Sequence, residues 1–234
     1  MSTSPAGESR GRARNARGID LRAALLEHAT ALSRAGGPEA VSLREVQRRA
    51  GVSAAAAYRH YRDREALLEA VGRRASALLA DTIGAAIDAV PPGLDARGRA
   101  IARLRAGCKG YLAFARREPG LLQAIFLTGE AMPDLRAPAP PSPGAGGLGP
   151  YVLLLDCIAD LVATGVMPAD RVAWSDIAAW AAVHGFAVLL REGPLRHLDD
   201  AGQQAAAARV VDVLLAGLAG DPPEGCLADP PGGG

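Results

Sequence analysis

SLREVQRRAGVSAAAAYRHYRDREALLEAV, residues 42–71, decides how the whole chain is read. Ser42-Leu43-Arg44-Glu45 spells a capping box. The serine hydroxyl can accept from the amide three residues on, and the glutamate carboxylate can reach back to the serine amide. The helix so opened runs to Ala50 and buries Leu43, Val46 and Ala50. Gly51 supplies the left-handed residue that closes a helix, Val52 can plug the core at the turn, and Ser53 caps a second helix expected to reach about Tyr61. Two short helices joined by a glycine-containing turn of three or four residues make a helix-turn-helix.

The second helix has a slim leading edge, Ala54–Ala57. A helix that presses into a DNA major groove about 12 Å wide benefits from small side chains there. Tyr58, Arg59, His60 and Tyr61 follow, offering hydroxyl, guanidinium and imidazole donors within reach of phosphates. Asp63, between Arg62 and Arg64, caps a third helix whose N-terminal amides are further donors for a phosphate. An alanine-rich helix carrying Tyr and Arg is, taken alone, equally an ordinary packed helix. Here the capping box, turn glycine, serine cap and aromatic run all fall in register.

The block GVSxxxxYRHYxxREALLxAV resembles the GVSxxxxYxHFxxKxxLLxAV signature of the tetracycline-repressor (TetR) family, and the resemblance covers residues 20 to about 75. It implies an all-α fold: an N-terminal three-helix DNA-binding domain and a C-terminal antiparallel helical domain that binds ligand and dimerises. It also implies roles for single residues. Ser42 and Tyr58 match phosphate-contacting positions and His60 a position at the DNA backbone, while Arg64 stands where the family usually has Lys. Arg44 and Ala54, Ala55 and Ala56 match positions that face base edges; Ser53 caps the helix that carries them. Arg44 suits direct readout because arginine donates two bonds to guanine O6 and N7. Alanines read little beyond thymine methyls, so specificity is expected to lean on Arg44, Arg59 and DNA shape.

Charge supports a polyanion partner for the N-terminal part. The 234-residue chain has a net charge of only +1, but residues 1–75 hold 14 arginines against 8 acidic groups, and the remainder is net acidic. Residues 1–18 read as a disordered basic tail, in which Arg10, Arg12, Arg14 and Arg17 either steer the chain toward DNA or enter a minor groove. The expected divisions are the tail at 1–18, a DNA-binding domain at 19–66, a ligand-binding and dimerisation domain at 67–220, and a loose tail at 221–234. Ala and Leu dominate the 49% apolar fraction, which favours helices over sheet.

Helical patterns are expected at about 20–35, 42–50, 53–61, 63–90, 94–117, 119–127, 151–164, 168–191 and 201–219. Six prolines and four glycines make residues 133–150 a flexible loop without a nucleotide-binding fingerprint. The helix expected from Pro168 to Arg191 is apolar nearly all round. One stripe holds Trp174, Ala178, Ala181, Gly185 and Val188, the other Ile177, Trp180 and His184. Such a helix is buried on both sides, one against its own domain and one against a second copy. With the last helix (Val210, Val211, Leu214, Leu215, Leu218) it is expected to form a four-helix homodimer interface.

Trp180-Ala-Ala-Val-His184-Gly185 resembles the WHG-type ligand domain of some TetR-family regulators. By that resemblance Tyr111, Phe114, Leu122, Phe126, Trp180 and His184 are candidates to line a pocket for an unidentified small-molecule effector; each serves equally as plain core. No polar group implies a charged effector.

Several function classes drop out. Cys108, Cys157 and Cys226 lack metal-ligand spacing, are far apart and odd in number, which argues against a metal cluster or disulfide framework and fits a reducing cytoplasm. No metal or cofactor is expected. The longest apolar run, Ile177–Leu190, has 14 residues, too few to span a membrane. His28, His60, His184 and His197 are scattered, with no nucleophile–base pair or carboxylate pair, so an enzyme is not expected. The reading is a cytoplasmic transcriptional regulator, a dimeric repressor released from a palindromic operator by an effector. The alternatives are a ligand-insensitive DNA-binding protein of the same fold and, more remotely, a helical enzyme.

Overall fold

The computed structural model describes residues 6–128 and 149–220, with the backbone alone for residues 6–20. It contains nine α-helices and no strand among the described residues: α1 (Ala6–Gly36), α2 (Leu43–Ala50), α3 (Ala54–Tyr58), α4 (Arg64–Asp88), α5 (Ala96–Arg117), α6 (Pro119–Leu127), α7 (Pro150–Ala163), α8 (Ser175–Arg191) and α9 (Asp200–Ala219). Short 3-10 turns precede α2, α8 and α9. The expected tail at 221–234 and all but the end of the loop at 133–150 lie outside the described residues.

The chain forms two compact units: residues 1–80 with 117–151, and residues 81–116 with 152–234. Both differ from the division expected after residue 66. α4 contributes to each unit, and α6 belongs to the first.

In the first unit α1 presents Leu25, Ala29 and Leu32 to a core that takes Leu43 and Val46 from α2, Ala57 from α3, and Leu67, Leu68 and Val71 from α4. α6 seals this core with Leu121, Leu122 and Ile125, all nearly inaccessible. Each such side chain contributes about 1.5–3 kcal/mol by leaving water. The approach of α6 to α1 is close enough to require glycine: a Cβ at Gly120 would lie 2.0 Å from the Ser33 carbonyl oxygen. The Ser33 hydroxyl, fully buried, donates to the Gly120 carbonyl (3.1 Å), and Arg34 pairs with Glu118 (2.6 Å).

α1 is longer than its apolar pattern. It begins at Ala6, so residues 6–18, expected as loose tail, are helical. Three alanines and four arginines favour the helix here against three glycines, and extending an existing helix costs far less than nucleating one.

In the second unit Leu104, Cys108, Tyr111, Leu112 and Phe114 of α5 pack with Cys157, Ile158 and Leu161 of α7, Val183 and Phe186 of α8, and Val211, Leu214 and Leu218 of α9. Burial pushes the Cys108 and Cys157 thiols up to about 12 and about 11, so both behave as inert apolar groups.

The helix expected from Pro168 is shorter than its pattern and starts at Ser175. The Ser175 amide and hydroxyl both donate to the Val172 carbonyl (3.1 and 2.8 Å), closing a tight turn instead of continuing a helix. Trp174, left outside, is held at φ 64 with 69% of its surface exposed. On α8 only one face is buried in the single chain; Ala178, Ala181, Gly185 and Leu189 face outward.

Candidate nucleic-acid interface

α2 and α3 are placed by their caps. The Ser42 hydroxyl accepts from the Glu45 amide (3.2 Å) and the Ser53 hydroxyl from the Ala56 amide (3.3 Å). Gly51 adopts φ 65, ψ 31, and its amide donates to the Arg48 and Gln47 carbonyls. The Val52 amide also reaches the Gln47 carbonyl (3.1 Å), and the chain turns directly into α3. A Cβ at Gly51 would meet open space, so glycine serves the backbone angle rather than the packing.

The second arm of the capping box is not made. The Glu45 carboxylate, expected to return to the Ser42 amide, instead accepts from Arg48 (2.7 and 2.8 Å) and Arg49 (2.8 Å). Those hydrogen bonds, Arg48's first, hold its pKa down to about 2. Two of the cations of α2 are thereby committed to an internal carboxylate.

α3 is shorter than expected. It ends at Tyr58, and residues 59–61 form a turn in which the His60 and Tyr61 amides both donate to the Ala57 carbonyl. Ala57 is fully buried, which sets the rotation of α3: Ala54 and Ala55 are exposed and Ala56 is half-buried. Tyr61 anchors the turn inward, its hydroxyl donating to the Arg22 carbonyl (3.4 Å) with the Arg22 guanidinium 5.3 Å above its ring. Tyr58 points the other way, 53% exposed, and Arg59 is exposed beside it. His60 is half-buried.

The named cations divide into two groups. Arg44 and Arg59 are exposed and make no hydrogen bond or ion pair among the described residues. Arg64 has an internal role: its Nε donates to the Val41 carbonyl and a terminal nitrogen to the Pro38 carbonyl, both at 2.8 Å, with Glu39 at 3.5 Å. It ties the start of α4 to the loop that delivers α2. Its partners lie 23 and 26 residues earlier in the chain, so no local pattern announces them. Asp63 caps α4 as expected, accepting from the Ala66 amide (2.7 Å), a bond that lowers its pKa.

The candidates for an effector pocket are spread over both units. Leu122 and Phe126 sit on α6 in the first, Leu122 buried in its core. In the second unit the Tyr111 hydroxyl and His184 Nδ1 share a hydrogen bond of 2.8 Å, the Trp180 ring lies 6.5 Å from His184, and Phe114 is buried. Burial pushes the Tyr111 hydroxyl pKa up and, with a smaller push from Arg191, the His184 imidazole pKa down. The pair is neutral at pH 7, a polar contact satisfied within an apolar core. No helix among the described residues is long and apolar enough to cross a membrane.

Comparison with known proteins defines the class. The family profile "Bacterial regulatory proteins, tetR family" matches residues 25–71, the segment holding α2 and α3, and "Tetracyclin repressor-like, C-terminal domain" matches residues 104–214. A protein of unknown function from Rhodococcus sp. RHA1 is 26% identical, with a TM-score of 0.67 over 86% of this chain and 96% of its own. The fold is also similar to that of TetR from Acinetobacter baumannii AYE, at 19% identity and a TM-score of 0.55, covering 82% of this chain and 93% of the other. No curated protein sequence matches the chain. The helix-turn-helix and the two profiles define a DNA-binding transcription regulator, not an enzyme. The chain belongs to the TetR family.

Proposed function

We propose that the protein is a homodimeric repressor that leaves a palindromic operator when a small molecule binds its second unit. The observation that carries the DNA-facing part is the edge formed by α2 and α3. Arg44, Ala54, Ala55, Tyr58 and Arg59 are exposed there, and neither arginine has a hydrogen bond or ion pair among the described residues. Arg44 reads a base edge, and Tyr58 and Arg59 hold the phosphates on either side. Ser42 and Ser53 act first as caps, and Arg64 acts by positioning the loop before α2.

Val211, Leu214, Leu215 and Leu218, expected at the dimer contact, are instead buried within their own chain, so dimerism rests on the outward face of α8 and α9. Ala178, Ala181 and Gly185 are exposed small residues flanked by Leu189 and Val213, 45% and 55% exposed. Apolar surface of this kind on two adjacent helices suits a self-complementary four-helix contact. The effector reading centres on Tyr111, Phe114, Trp180 and His184, whose neutral, apolar surroundings fit an uncharged molecule. Its binding would shift the population of the two recognition edges away from successive major grooves.

The test is fluorescence anisotropy with duplex DNA from the region upstream of the gene. Arg44→Ala is expected to weaken specific binding by about 1–3 kcal/mol and to relax preference at one base pair. Equal binding by wild type and Arg44→Ala across operator variants would overturn the assignment of that edge.

A further inference from the structure

A groove of about 480 Å³ runs along the second unit between α5 and α9, and neither Tyr111 nor His184 lines it. Its size is that of a small-ligand site, roughly 300–1,000 Å³. Leu112, Leu190 and Val211 supply its apolar lining, and Arg105, Lys109 and Arg116 its cations. The three cations and Leu112 fall on one face of α5 because they are spaced three, four and seven residues apart.

The cations are not equivalent. Arg105 is paired with Asp212 and Arg116 with Asp200 (2.7 Å), two bridges that fasten α5 to α9 near the ends of the groove. Lys109 lies between them, exposed and without an ion pair or hydrogen bond among the described residues. The groove therefore carries one uncompensated positive charge above an apolar floor. Gln204, on the α9 side, adds an amide with no hydrogen bond among the described residues.

From this arrangement we propose that the groove binds an amphipathic monoanion, a carboxylate with an apolar body. The carboxylate sits at Lys109, and the body lies on Leu112, Leu190 and Val211. One free charge matches a monocarboxylate. A phosphate dianion would need a second cation, and both arginines are held by aspartates. The site is separate from the effector reading above and from DNA binding, and it can be measured without either.

Isothermal titration of the full chain with decanoate, using decanol as the uncharged match, tests the assignment. Decanoate is expected to bind at one site per chain, and decanol at least about tenfold more weakly. Lys109→Met keeps the apolar stem and removes the charge; it is expected to lower decanoate affinity about tenfold or more and leave decanol unchanged. Ala208→Trp, at an exposed position lining the groove, is expected to abolish both. Absence of decanoate binding, equal binding of decanol, or full affinity in either variant overturns the proposal. Circular dichroism on each variant separates loss of site from loss of fold.

Discussion

Replacing Arg64 by Met separates two jobs that a cation at the start of α4 can do. The guanidinium donates to the Val41 and Pro38 carbonyls, both at 2.8 Å. A hydrogen bond from a charged donor contributes about 1.5–3 kcal/mol when well sheltered. The Arg64 side chain is 45% exposed, so solvent competes, and about 0.5–1 kcal/mol per bond is the better figure. The Glu39 contact, at 3.5 Å with that carboxylate 86% exposed, adds nothing measurable. The substitution should therefore cost about 1–2 kcal/mol in all. In urea, with a slope of about 2 kcal/mol per molar, the midpoint should fall by roughly 0.5–1 M, followed by far-ultraviolet circular dichroism. DNA binding supplies the second readout. If Arg64 chiefly positions the loop before α2, affinity falls but the slope of log K against log salt is unchanged. A phosphate contact would reduce that slope by about 0.9. An unchanged urea midpoint together with a slope reduced by that amount would refute the positioning role.

Gly120→Ala should destabilise the first unit by about 1–3 kcal/mol or more, since the new methyl meets backbone at 2.0 Å and α6 must move; urea unfolding measures it. Gly84→Ala is the contrasting case, with open space around it in the last two turns of α4, and should gain about 0.5–1 kcal/mol in the same assay. His184, whose folded-state pKa lies below its ordinary value, favours the folded state fully only above about pH 6.5; that contribution should fade as pH drops, and His184→Phe should flatten the loss in thermal melts between pH 7 and 5. Val213→Asp, on the outward face of α9, should halve the mass by light scattering with helix content retained; an intact dimer would exclude that face.

Much of the first unit was legible because its signals are local. The serine caps, the left-handed glycine and the buried Val46 and Leu43 lie within a few residues of one another, and the structure has each as expected. The second half of the capping box failed for an equally local reason. Arg48 and Arg49 stand one turn from Glu45 and outcompete a backbone amide for its carboxylate. What could not be read depends on distance along the chain. α6 joins the first unit through Gly120, which is 87 residues from Ser33, and nothing in either sequence neighbourhood points to the other. Trp174 fitted a helical stripe by spacing alone. The turn closed by Ser175 put it outside the helix, because periodicity does not register a side chain competing for a carbonyl. The lone lysine at 109 likewise has no motif; its isolation is visible only once Asp200 and Asp212 are seen to take its two neighbours.

Trp174 and Trp180 are the chain's two indoles, and both belong to the second unit. One is open to solvent, while the other lies beside an imidazole. Light absorbed by the indoles is thus emitted from that half alone, and the half that holds α2 and α3 has no indole. Addition of a small molecule that changes the spectrum reports on the half that would sense it. A change on adding duplex DNA is information that has travelled from one half to the other, and the protein carries the dye for that measurement in its own sequence.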